Sequence, residues 1–221
     1  METIQITPAL PPAFYARPTL EVARALLGKT LARRTDAGVA AGVIVEVEAY
    51  VAAVDAAAHG YGGPTPRTRS MFGPPGRAYV YRSYGMHFCL NVVTEPEGAA
   101  AAVLIRALAP SCGLDLMRAR RGPAVVERDL CRGPGRLCQA LAITLSDDGA
   151  DLRGPDPLDL WIAQTPGTES GSGAPPIANS PRIGISKAVD LPWRFYVPGS
   201  RYISGRPARE RADAPSGVDR T

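Results

Sequence analysis

Residues Tyr79 to Asn91 read YVYRSYGMHFCLN. Tyr79 and Tyr81 alternate with Val80 and Arg82, the pattern breaks at Ser83-Tyr84-Gly85-Met86, and an apolar run resumes through Phe88, Cys89 and Leu90. Two strand-like runs around such a break predict an antiparallel β-hairpin, because Gly85 supplies the positive φ that a tight turn needs. Tyr84 then stands at the tip. An aromatic at the end of a two-stranded arm has no core of its own to enter, and a nucleic-acid base stack is the natural recipient.

Further strands are expected on either side. Thr30 to Arg34 reads as a strand. Val43 to Tyr50 (VIVEVEAY) alternates, which puts Val43, Val45 and Val47 on one face and Glu46 and Glu48 on the other. Ala99 to Leu108 (AAAAVLIRAL) is a near-continuous apolar strand with one charge, Arg106, and Arg194 to Val197 forms a last strand. Helices are expected over Leu20 to Leu27, capped by Thr19 and closed by Gly28, and from a Ser111 cap through Arg120. Gly133-Pro134-Gly135 opens a third, Arg136 to Ala142, whose first amides either hold a phosphate or simply start the helix. Residues 51–76 read as loop, and residues 165–176 (TPGTESGSGAPP) as a low-complexity loop. The sum is an α+β fold. We expect a single domain over 1–221, with its core at about 14–204 and tails at 1–13 and 206–221. A curved antiparallel sheet or partial barrel carries the protruding hairpin.

A chain of 221 residues, 45% hydrophobic, can bury one sizeable core. No apolar run reaches membrane-spanning length. The start, METIQITPALPPAF, lacks the basic and apolar regions of a signal peptide. A cytoplasmic, nucleoid-associated protein is the expectation. The net charge of +4 permits a polyanionic partner, and the cations are nearly all arginine, with Lys29 and Lys187 the only lysines. Cys89, Cys112, Cys131 and Cys138 form no CxxC pair, so reduced structural thiols are expected rather than a metal site.

Several residues carry chemical potential. Glu48 ends a strand beside Tyr50, where a carboxylate serves as a general base if something holds it ionised. Arg106 cannot lose its proton and needs an anion nearby, so the two make natural partners. The same pair also fits a plain structural bridge between strands. His59 can hydrogen-bond a planar ligand, and Tyr50 and Tyr81 can sandwich one, or all three can be packing residues. Asn91 can exclude an edge group or pair with strand backbone.

Beyond these local readings, the chain resembles the alkyladenine (3-methyladenine, N-methylpurine) DNA glycosylases. The stretches that carry the likeness are LLGKTLARR, GVIVEVEAY, DAAAHG, TPRTRSMFGPPGRAYVYRSYGMHFCLNVV, VLIRAL, CRGPGRLCQALAI, RIGIS and WRFYVPGS, in the family's order from about Phe14 to Ser204. The resemblance implies a compact domain similar to the C-terminal domain of formyltransferases. It also implies a base-excision repair enzyme that acts on double-stranded DNA containing damaged purines as a monomer, without metal or cofactor. Such an enzyme flips an alkylated or deaminated purine out of the duplex and hydrolyses its N-glycosidic bond, leaving an abasic site. By the same resemblance Glu48 is the general base. Arg106 and the backbone carbonyl of Ile183 hold the water. Tyr50, His59 and Tyr81 grip the flipped base, Asn91 excludes normal guanine, and Tyr84 fills the gap in the duplex. His87 departs from the aromatic Tyr of the mammalian relatives, which touches local DNA contacts rather than the chemistry.

An alkylated purine is cationic and leaves without protonation, so one carboxylate suffices. Neutral lesions such as hypoxanthine and ethenoadenine need a donor, with His59 or an ordered water the candidates. Besides a hydrolase of free nucleosides, which would not need Tyr84, two other readings remain open from the residues alone. One is a glycosylase/lyase whose amine, Lys29, Lys187 or the N-terminus, forms a Schiff base with the sugar. The other is a non-catalytic binder of distorted duplexes, which would have no need of a carboxylate near a polyanion.

Overall fold

The computed structural model describes residues 8–153, 159–165 and 175–205. Its hub is β2 (Gly38–Val51), a long strand rich in Val, Ile and Ala. One edge of β2 pairs with β5 (Ala101–Cys112). The other edge pairs first with β1 (Thr30–Thr35) and then with β8 (Arg194–Tyr196). The hairpin of β3 (Ala78–Ser83) and β4 (His87–Thr94) extends the sheet beyond β5, and β6 (Leu160–Ala163) and β7 (Ala178–Ser180) complete it. The strand order is β3-β4-β5-β2-β1-β6, all antiparallel, with β8 joining β2 to β7. The sheet curls into a half-barrel.

Cross-strand register decides what shares a face. Tyr79 pairs with Asn91, Asn91 with Leu104, Leu104 with Glu48, and Glu48 with Arg194. Directly paired residues point the same way, so these five form one row on one face of the sheet. The opposite face carries the main core. There Val47, Ala49, Val80, Leu90, Val92, Val103, Ile105 and Phe195 meet three helices: α2 (Thr19–Leu26), α3 (Leu114–Arg121) and α4 (Pro134–Ala140). A short α1 (Pro12–Tyr15) precedes them. None exceeds eight residues, so their stability comes from this packing rather than from intrinsic propensity.

The expected alternation of β2 fails at one place, and the failure matters. Ile44 and Val47 both face the main core, three residues apart. The ladder pairs Ile44 with Leu108, Glu46 with Ala107 and Val47 with Ile105, skipping Val45 on β2 and Arg106 on β5. Paired bulges thus turn Val45 away from Val47 and into a separate cluster with Ala107, Tyr196 and Ile203. They also re-aim Glu46 and Arg106, as bulges beside functional sites commonly do.

Other expectations need correction at their ends. Thr19 is the first residue of α2 rather than its cap, and its hydroxyl bonds Thr94 Oγ1 at 2.9 Å and Glu95 Oε1. Ser111 lies within β5 and donates to the Ala41 carbonyl at 3.3 Å, and α3 starts only after Gly113 at φ +67°. The third helix begins at Pro134 and ends at Ala140, because Pro is pre-set for a first helical turn. The segment expected as loop over residues 51–76 begins one residue later, because Val51 still belongs to β2, and the rest is turns and irregular chain with one 3-10 turn, Arg69–Phe72. Strands β6 and β7 had no clear signal, being four and three residues long. Most of the 165–176 loop, and the tails 1–7 and 206–221, lie outside the described residues.

At the hairpin tip Tyr84 and Gly85 both adopt positive φ, +49° and +69°, and the Met86 amide donates to the Ser83 carbonyl at 3.2 Å. This is a type I′ arrangement, which favours Asn-Gly and strains a bulky residue at its first central position. Tyr84 is nonetheless there, 85% exposed. Tyr84→Asn is therefore expected to raise stability by up to about 1 kcal/mol in a denaturant titration, the scale of the left-handed penalty. A variant less stable than the parent would contradict the reading of strain.

Candidate active site

The row of paired residues opens onto a cavity of about 400 Å³. Tyr50, His59, Tyr81, Tyr84, Asn91, Arg106 and Ile183 all line it. Glu48 is fully buried immediately behind Tyr50, Arg106 and Ile183. The eight residues to which the resemblance assigns catalytic, base-gripping or wedge roles thus converge on one place, although they come from β2, β3, β4, β5, the hairpin turn and two connecting segments. The volume lies within the range of small-molecule pockets and near its lower end.

Two groups donate to the Glu48 carboxylate, and a third is ion-paired with it. The Ile183 backbone N–H reaches Oε1 at 2.7 Å, and the Tyr50 hydroxyl reaches Oε2 at 2.8 Å. Arg106 Nη1 stands 3.1 Å from Oε2. The part of Ile183 that meets Glu48 is therefore its amide. Arg106 is shared with a second buried carboxylate: its Nε donates to Glu46 Oε1 at 3.0 Å, and its Nη2 to Ser204 Oγ at 3.1 Å. Burial works against the Arg106 charge, but Glu48 and Glu46 outweigh it and raise its pKa. Glu46 in turn accepts from Arg194 Nε at 2.7 Å, from Ser204 Oγ at 2.9 Å and from the Ser204 amide. Nearby, Arg182 grips Asp55 with both terminal nitrogens. Around the pocket floor, three buried carboxylates (Glu46, Glu48, Asp55) are thus matched by three buried guanidiniums (Arg106, Arg182, Arg194).

Aromatic groups form the walls. The His59 ring meets Tyr81 edge-on at 4.6 Å, and Tyr79 and Tyr81 lie 5.5 Å apart. His59 Nδ1 is 2.9 Å from the Tyr79 hydroxyl. Burial pushes the His59 pKa down and the Arg67 charge adds to it, so the ring is neutral at pH 7 and its Nδ1 is engaged by Tyr79. Burial also pushes the Tyr50, Tyr79 and Tyr81 phenols up, with the Glu48 charge contributing at Tyr50, so all three stay protonated donors. The Asn91 side-chain amide donates across the hairpin to the Tyr79 carbonyl at 2.9 Å. Outside this pocket, His87 packs against Gly135, where an added Cβ would lie 2.9 Å from the His87 Cβ.

Sequence reading missed Glu46 as a partner of Arg106, and Arg194, Ser204, Asp55, Arg182 and Tyr79 entirely. The position of Glu46, two residues before Glu48 on one strand face, was the available signal. Tyr79 stands two residues from Tyr81 on the same strand, and the rest come from segments far apart in the sequence that only the fold brings together. The four cysteines are unpaired and buried. Among the described residues no helix is long and apolar enough to cross a membrane.

A sheet that converges aromatic walls on a buried carboxylate, with an exposed tyrosine at its rim, defines a pocket for a flat ring. The comparisons with known proteins agree with that class. Residues 13–201 match the family model described as methylpurine-DNA glycosylase. A Rhodopseudomonas palustris protein is 54% identical over 201 residues, covering 89% of this chain and 90% of that protein. Proteins from Burkholderia lata and Burkholderia cenocepacia are 52% and 53% identical, each covering 89% of this chain and 91% of theirs. All three are provisionally named 3-methyladenine DNA glycosylases. The chain belongs to the methylpurine-DNA glycosylase family. It is a DNA glycosylase, a hydrolase of N-glycosidic bonds that acts in base-excision repair.

Two measurements probe the site's electrostatics. Glu46→Gln leaves Arg106 and Arg194 facing a neutral amide, and should destabilise the fold by about 3 to 5 kcal/mol, the usual penalty for breaking a buried ion pair. Little loss in a denaturation curve would show that Glu46 is not the hub. The depressed His59 pKa stabilises the fold above the unfolded value of 6.5, and that contribution is lost as pH falls from there towards the lower folded value. A His59→Gln variant should lack this component of the stability–pH curve. An identical curve below pH 6.5 would place the imidazole in solvent.

Proposed function

We propose that this glycosylase excises alkylated and deaminated purines, the class of 3-methyladenine, 7-methylguanine, hypoxanthine and ethenoadenine, by direct attack of a Glu48-activated water. The observation that carries this reading is a donor-held carboxylate directly behind an aromatic-walled pocket whose rim bears an exposed tyrosine. Duplex DNA does not admit a protein pocket to its bases, so the target must be everted. Tyr84 enters the stack and occupies the space the nucleotide leaves. The damaged base lies between Tyr50 and the His59–Tyr81 pair, with Asn91 set against the exocyclic amine of an undamaged guanine.

Glu48 accepts the proton of the attacking water, and its charge faces the oxocarbenium-like sugar as the bond to the base lengthens. Arg106 and the Ile183 carbonyl place that water. The terminal nitrogens of Arg106 each carry a second N–H beyond those turned to Glu48 and Ser204. Cationic lesions depart on the weakness of their own bond. Neutral ones need a hydrogen-bond donor, and His59, whose ring lines the pocket, or an ordered water is the candidate. Water rather than an amine is favoured as nucleophile because neither Lys29 nor Lys187 is among the pocket-lining residues, while the third candidate amine, the N-terminus, lies outside the described residues. The enzyme works as a single domain and a monomer, and binding away from the lesion is phosphate-driven and falls steeply with salt.

Glu48→Gln should abolish base release from a duplex with one defined lesion while duplex binding persists. Retained excision removes Glu48 from the role of base. Tyr84→Ala should weaken lesion binding and slow excision, and if both match the parent the hairpin is not a wedge. A protein–DNA adduct trapped by borohydride would favour the lyase reading instead.

A further inference from the structure

Arg182 belongs to no role given above, yet it sits where the parts of the pocket meet. Its side chain and that of Asp55 are both fully buried. Nη2 donates to Asp55 Oδ1 at 2.8 Å and to the Ala188 carbonyl at 3.3 Å. Nη1 donates to Asp55 Oδ2 and, at 2.9 Å, to the carbonyl of Ala49, the residue between Glu48 and Tyr50. The guanidinium carbon lies 4.5 Å from the Tyr50 ring centroid and 5.5 Å from that of Trp193. Tyr50 lines the pocket and Arg182 does not, so Arg182 backs this wall from within the protein.

These contacts tie together three segments that make the site. Asp55 opens the turn that carries His59. Ala49 fixes β2 between the carboxylate and the stacking phenol. Ile183, the next residue in the chain, presents the amide that holds Glu48 Oε1 at 2.7 Å. A buried ion pair is a poor source of stability, since well-packed apolar residues of the same volume commonly do as well or better. A fully buried Asp–Arg pair at this junction is better explained by geometry. The planar fork of arginine meets two carboxylate oxygens and two carbonyls at once while stacking on a ring, which a lysine cannot do.

We propose that Arg182, locked by Asp55, is a positioning residue for catalysis: it orients the Tyr50 ring and the Ile183 amide, and through both of them the Glu48 carboxylate. This rests on Glu48 acting as the base. Misplacing a reacting group by about an ångström can cost up to a hundredfold in rate. Loss of Arg182 should therefore act on the chemical step more than on binding.

The test compares single-turnover excision of hypoxanthine from a duplex by the full chain, with Arg182→Lys, Arg182→Met and Asp55→Asn. Rates are taken per folded molecule, well below each variant's melting temperature, alongside affinity for the same duplex. The expected order of maximal rate is parent, then Arg182→Lys, then Arg182→Met, spanning between about tenfold and a hundredfold. Asp55→Asn should fall between parent and Arg182→Met, and affinity should change far less than maximal rate in all of them. If folded Arg182→Met, or Asp55→Asn and Arg182→Lys where Met does not fold, reaches the parent's maximal rate, Arg182 is structural only and the proposal fails. Equal losses in affinity and rate, with no rescue by lysine, also overturn it. Failure of the underlying reading looks different, because the parent itself would then release no base or Glu48→Gln would release it normally.

Discussion

The site depends on holding the buried side chain of Glu48 in place among cations and donors. A lone buried anion is prohibitively costly, and pairing it with a single cation recovers the cost only when the remaining donors are satisfied. Here Glu48 shares Arg106 with Glu46, and Glu46 is held in turn by Arg194 and Ser204. The result is a matched lattice rather than an isolated pair. It keeps Glu48 in one orientation beside a pocket without exposing it to solvent.

That lattice follows from the sheet. A regular ladder would leave Val45 and Val47 on one face and would pair Arg106 like any other strand residue. The skipped positions at Val45 and Arg106 break the ladder where β2 and β5 cross the pocket floor. Arg106 and Glu46 thereby come within 3.0 Å while Ile44, Val47, Ile105 and Leu108 still fill the main core. The same strand β2 supplies Glu46, Glu48 and Tyr50, so a change in its register would move all three together.

Much of this was legible beforehand. The hairpin was readable because its alternation and Gly85 are local signals, and Arg106 declared its need for an anion by interrupting an apolar strand. The residue-level roles came from family resemblance, not from pattern. The bulges were not legible, because alternation in VIVEVEAY looks regular and only the partner strand reveals the skipped residues. Arg182 and Arg194 were invisible for a related reason: they lie more than a hundred residues from their carboxylates, and one sequence does not say which segments the sheet will join. Thr19 and Ser111 looked like caps by residue type, but long-range partners at Glu95 and Ala41 took their hydroxyls instead.

The strained tip shows the opposite priority. Tyr84 occupies a backbone conformation that asparagine or glycine would adopt more easily, and its ring stays in solvent. Such strain is tolerated when the side chain's work lies outside its own fold. The most direct test of the whole account is a crystal structure of the protein on a duplex that carries one purine lesion linked through a non-hydrolysable sugar. The account predicts that the everted nucleoside lies between Tyr50 and Tyr81, with its anomeric carbon facing Glu48 across a single water and the Tyr84 ring inside the helix. A lesion left stacked in the duplex, or everted with that carbon turned away from Glu48, would contradict it.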